Sequence, residues 1–131
     1  MRIIRSDTAP APVAGAPYSQ GIAVTAGEVL FVSGQVPVDP ATGAMVDGDV
    51  TTQTEMVLSN LRAVVEAAGG RLAHVVKCTV FLIDLADFPA MNAVYARAFT
   101  SDPPARSTVG VAALPLGARV EIEAIAVLPG A

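Results

Sequence analysis

Arg106 follows Pro103-Pro104-Ala105 at the start of a strand-like run, with Thr108 and Gly110 on its side of the pleat. An arginine flanked by small residues suits bidentate capture of a carboxylate, because its planar fork matches two oxygens and stays charged. Glu121 and Glu123 stand two residues apart and project to one side of an otherwise apolar strand. They could serve as a general acid or base, pair with Arg119 at an interface, or form the solvated side of an edge strand. If residues 105–112 and 119–128 close as a hairpin about Pro115 and Leu116, Arg106 shares a face with both glutamates. A one-residue slip sends them to opposite faces. A salt bridge from Arg106 to either glutamate, merely holding the hairpin, is the outcome that spacing alone favours. An arginine beside a glutamate would favour the ionised carboxylate, leaving a base that is available but weakened.

Tyr18, Ser33, Gly34 and Asn92 are polar or small groups at strand ends or on a helix, suited to orienting a small ligand by hydrogen bonds. Each taken singly is also an ordinary capping or satisfied residue. His74 precedes a strand with no serine or cysteine partner signalled, which argues against catalysis. Cys78 falls on a core-facing register and reads as a small buried hydrophobe. With one cysteine and one histidine there is neither an internal disulfide nor a Cys/His zinc cluster, so no metal is expected. The glycines from 43 to 48 do not match a phosphate-binding loop.

These residues need elements to position them. Residues 21–25 and 29–33 are β-branched runs separated by Ala26-Gly27-Glu28, the pattern of a hairpin, and a turn-rich loop follows at 36–43. From 49 to 68, Val50, Val57, Leu58, Leu61, Val64, Val65 and Ala68 recur at helical spacing. Thr52 and Glu55 are spaced as a capping box, and Gly69-Gly70 stops the helix. Residues 75–83 form a strand apolar on both faces, with Val76, Cys78, Val80 and Leu82 on one and Val75, Phe81 and Ile83 on the other. Such a strand must be covered on both sides. Leu85, Phe88, Met91, Tyr95 and Phe99 predict a second helix, capped by Asp87 and tolerating Pro89 in its first turn. The expected order is ββαβαββ, a single α+β domain over 1–131 whose mixed sheet carries two helices on one face. Its other face is expected to pack against further copies in a closed homo-oligomer.

The chain of 131 residues is 53% hydrophobic and only 15% charged, with more apolar surface than a small monomer hides easily. Pro10, Pro12 and Pro17 interrupt the uncharged stretch from Thr8 to Gly27, so no membrane span is expected. The N-terminal residues lack the apolar core of a secretory signal, which points to the cytoplasm. A net charge of −4 offers no electrostatic footprint for nucleic acid.

Together, the segments Gly15-Ala16-Pro17-Tyr18-Ser19-Gln20-Gly21, Val32-Ser33-Gly34-Gln35-Val36-Pro37, Asn60-Leu61-Arg62-Ala63-Val64-Val65-Glu66-Ala67-Ala68-Gly69, Pro104-Ala105-Arg106-Ser107-Thr108-Val109 and Val120-Glu121-Ile122-Glu123-Ala124-Ile125-Ala126 resemble the RidA (YjgF-like) reactive-intermediate deaminase family. The resemblance covers nearly the whole chain. It implies a chorismate-mutase-like α+β subunit, a homotrimer with sites between subunits, and hydrolysis of 2-iminobutanoate, 2-iminopropanoate and 2-aminoacrylate. These imines and enamines are released by pyridoxal-phosphate enzymes, and the products are 2-oxo acids and ammonia. No cofactor is implied. The family's carboxylate-binding arginine falls on Arg106, and the glutamate acting through the attacking water falls on Glu121. Tyr18, Ser33, Gly34 and Asn92 match positions lining the family's cleft, and Glu123 matches a motif glutamate without an assigned role. Thr108 stands where many members carry cysteine, so backbone contacts there survive the exchange but a thiol's role does not. Two rival readings attach to the same resemblance: an endoribonuclease inhibiting translation, which the acidic charge opposes, and a non-enzymatic binder of 2-oxo acids.

Overall fold

A computed structural model describes residues 1–25 and 27–129. Strands β1 (Arg2–Ile4) and β2 (Gly21–Ala23) pair antiparallel as a separate ribbon. The main sheet comprises β3 (Glu28–Gln35), β4 (Val75–Leu82), β5 (Ala105–Gly110) and β6 (Val120–Leu128), in the order β3-β6-β4-β5. Helices α1 (Val50–Ala67) and α2 (Phe88–Ala98) pack on one face of it and on each other. The α+β class, the mixed sheet and the two helices agree with expectation.

Strand pairing does not. The expected hairpin of 21–25 with 29–33 is absent: β2 pairs with β1, an additional strand too short to show a period, while β3 pairs with β6. Ala26, in the middle of that expected turn, lies outside the described residues. The second expected hairpin is also absent, because β5 runs parallel to β4 and β6 lies on the other side of β4. Local alternation is the same for either partner, so it could not distinguish them.

Helix ends follow local chemistry. The Asp49 side chain, not a Thr52–Glu55 box, caps α1 by accepting the Thr52 N–H at 2.9 Å. Glu55 instead pairs with Arg97 on α2 at 3.2 Å. Gly69 ends α1 at φ +87°, a conformation favouring glycine. The second helix splits: residues 85–87 make a separate short 3-10 turn and Leu85 is exposed rather than packed. Asp87 gives α2 no side-chain cap because both its oxygens accept from Arg119 Nη2 at 3.0 Å. That bond also removes Arg119 from the glutamate pairing considered for β6.

The core lies between helices and sheet, with Val57, Leu61 and Val65 of α1 and Met91 and Tyr95 of α2 over Val80, Leu82, Val120 and Ile122. A register shift at the start of β4 turns Val75 into this core, although simple alternation assigned it to the far face. Phe81, Ile125 and Val127 stay partly exposed on that far face, beside Val29, Val109 and Ile83 and beside Phe31 at 74% exposure. No described helix is long and apolar enough to cross a membrane.

Candidate active site

Arg106 sits on β5, the edge strand, opposite Cys78 of β4, which in turn is opposite Ala124 of β6. Paired residues share a face, so all three point toward the helices. The Arg106 guanidinium is half-buried and donates from Nη1 to Asn92 Oδ1 at 2.6 Å. Its central carbon lies 4.7 Å from the centroid of the Tyr95 ring, 5.5 Å from Phe88 and 5.7 Å from Tyr18. Ion pairs among the described residues are Arg97–Glu55 and Arg119–Asp87, so no carboxylate there neutralises Arg106. The hairpin-holding salt bridge is therefore not formed. Burial pulls the Arg106 pKa downward, yet a guanidinium remains cationic at neutral pH. A desolvated cation bonded to one neutral amide retains donors for an anion.

The edge of β5 supplies a further donor. Val111 N–H donates inward to Leu82, whereas Pro104 C=O accepts from Ser19 N–H on the outer side. Backbone groups alternate in direction along a strand, so Thr108 N–H points outward, beyond the sheet. Thr108 also shares the Arg106 face, and its Oγ1 is buried without a hydrogen-bond partner.

Glu121 lies elsewhere. It pairs with Phe81, three positions along β4 from Cys78, and therefore projects from the opposite, uncovered face. Ser33 and Gly34 occupy the register shift in β3 between Val32 and Gln35 and are exposed. Glu121 packs against Gly34 so closely that a side chain at position 34 would fall on its carboxylate. Glu123 is further along the same face and exposed.

The candidate residues thus fall into two groups: Tyr18, Asn92, Arg106 and Thr108 on one side of the sheet, and Ser33, Gly34 and Glu121 on the other. The shared face for Arg106 and the glutamates depended on the absent hairpin. His74 is occupied structurally, its Nδ1 accepting the Arg71 N–H at 3.0 Å. Cys78 is fully buried, and desolvation pushes its thiol up to about 11. Among the described residues no group of His, Cys, Asp and Glu is arranged to hold a metal ion. By helical spacing alone, Phe88 and Tyr95 are core positions of the second helix. The missed signal is Asn92, a polar residue set at helical spacing between two aromatics on one stripe.

Comparison with known proteins identifies the family of the chain. Residues 8–128 match the family described as Endoribonuclease L-PSP. The chain is 56% identical over 126 residues to Protein DfrA of Myxococcus xanthus, covering 96% of this chain and 95% of that protein. It is 49% identical over 120 residues to the 2-iminobutanoate/2-iminopropanoate deaminase of Capra hircus, covering 92% and 86% respectively. The crystal structure of E. coli TdcF with bound serine superposes with a TM-score of 0.73 at 41% identity, covering 98% of this chain and 100% of that one. The protein belongs to the Endoribonuclease L-PSP family, that of the RidA and YjgF proteins.

Proposed function

We propose that this protein is a 2-iminobutanoate/2-iminopropanoate deaminase, hydrolysing reactive 2-imino acids and their enamine tautomers to 2-oxo acids and ammonia. The observation carrying the reading is the half-buried Arg106 guanidinium, held by Asn92 and without a carboxylate partner among the described residues. It is a receptor for a carboxylate, the group common to these substrates and to the serine bound by TdcF. The Thr108 N–H on the open edge of β5 offers the carboxylate a second donor.

The face-to-face separation of Arg106 and Glu121 supports a site completed between copies. In a closed homotrimer the uncovered apolar face of one subunit would be buried, bringing its Glu121, Ser33 and Gly34 against the β5 edge of the next. Arg106 would then fix the imine carbon where a water reaches it. Glu121 of the second copy would take a proton from that water as the C–O bond forms. Return of that proton to nitrogen gives a carbinolamine, and transfer of its hydroxyl proton to nitrogen, again through Glu121, lets the C–N bond break as the C=O forms, releasing ammonia and the 2-oxo acid. The imine carbon is already electrophilic, so positioning and proton transfer complete the balance without a cofactor.

The test couples the purified protein to an amino-acid oxidase and traps the nascent imine with semicarbazide. Wild type is expected to suppress trapping and Arg106→Ala to lose the effect. Suppression undiminished in Arg106→Ala contradicts the reading. A 2-oxo acid bound without faster imine loss would favour a binding protein instead, whereas cleft-dependent RNA cleavage would favour the endoribonuclease.

A further inference from the structure

Carboxylate capture needs a cation, but it does not by itself account for three aromatic rings around that cation. Phe88, Asn92 and Tyr95 fall at helical spacing on one stripe of α2, and all three meet Arg106. Tyr95 is wholly buried, its ring centroid 4.7 Å from that of Phe99 at a tilt of 42°. Its hydroxyl has no oxygen or nitrogen partner and lies near the Cys78 thiol, itself directly opposite Arg106 across β4–β5. The Tyr95 ring is therefore a fixed surface.

An arginine side chain has many rotamers, and ordering it when a ligand arrives opposes binding. Here the ring faces attract the guanidinium while the Asn92 amide restrains its rotation. We propose that Tyr95 and Phe88 are positioning residues for carboxylate capture, holding the Arg106 fork before substrate binds. This rests on the deaminase reading and deepens it: affinity for the 2-imino acid depends on rings that need not touch it.

The test compares Tyr95→Phe, Tyr95→Leu and Phe88→Leu in the assembled protein, measuring imine-hydrolysis kinetics and 2-oxobutanoate binding by calorimetry. Retaining the ring, Tyr95→Phe is expected to keep KM and Kd within about twofold, whereas each leucine variant raises both about tenfold with kcat within about threefold. A merely structural role would lower the folded, active fraction without moving KM or Kd. Phe88 is only partly buried, so Phe88→Leu carries the test if Tyr95→Leu does not fold. Unchanged KM and Kd in folded Phe88→Leu overturn the proposal for Phe88, and the same result in folded Tyr95→Leu overturns it for Tyr95. Wild-type protein that neither binds 2-oxobutanoate nor hydrolyses imines overturns the deaminase reading as well, so the two failures are distinguishable.

Discussion

Arg106 and Glu121 stand on opposite faces of one sheet, with β4 between their strands. This separates the proposed carboxylate-binding cation from the proposed base within a chain, so the proposed reaction depends on contact between copies.

Gly34 tests the proposed Glu121 half-site. A methyl group there would overlap the Glu121 carboxylate, but that carboxylate is the end of a flexible side chain and can swing away. Gly34→Ala is expected to change stability by no more than about 0.5 kcal/mol while lowering kcat at least about tenfold. Thermal unfolding and steady-state kinetics on the same sample check the pair of effects. Full activity at unchanged stability would contradict this placement of Glu121.

Phe31 tests the uncovered face. At 74% exposure it carries apolar area that assembly would bury, with a contribution on the order of 2 kcal/mol per copy. A buried carboxylate there would also be costly. Phe31→Glu is expected to yield smaller particles by light scattering, native circular dichroism and lost imine hydrolysis. An unchanged assembly would mean that this face is not the interface.

Cys78 gives a pH dependence. Burial raises its thiol from an ordinary value of 9.0 to about 11, so the neutral form is favoured in the folded chain. Its contribution is complete below pH 9, where the thiol is protonated in both states. As pH rises from 9 toward 11 the unfolded chain loses this proton first, and stability falls. Denaturant titrations are expected to show that fall reduced in Cys78→Ala, while native Cys78 resists thiol reagents at pH 8. Labelling as fast in the native as in the unfolded chain would refute its burial.

The sequence shows where helices form more readily than which strands meet. The spacing from Val50 to Val65 and the stop at Gly69 place α1 because both signals are local. Residues 105–112 and 119–128 look like a hairpin because the loop between them holds Pro115 and Gly117, yet their strands flank β4. Pairing is a nonlocal property, and the site inherits that ambiguity. Arg106, Asn92 and Tyr18 cluster through packing on α2 and β5, whereas the position of Glu121 depends on β6 inserting between β3 and β4. The aromatic surroundings of Arg106 were hidden because Phe88 and Tyr95 follow the same helical period as ordinary core residues.

Coexpression of Arg106→Ala and Glu121→Ala chains decides whether one site draws on two copies. Each variant alone is expected to be inactive, because every site lacks either its cation or its base. In the proposed trimer, random mixing leaves roughly a quarter of the sites with Arg106 from one copy and Glu121 from another, and activity should recover to about that fraction of wild type. Activity no greater than that of either variant alone, in particles shown to contain both chains, would contradict a site shared between subunits.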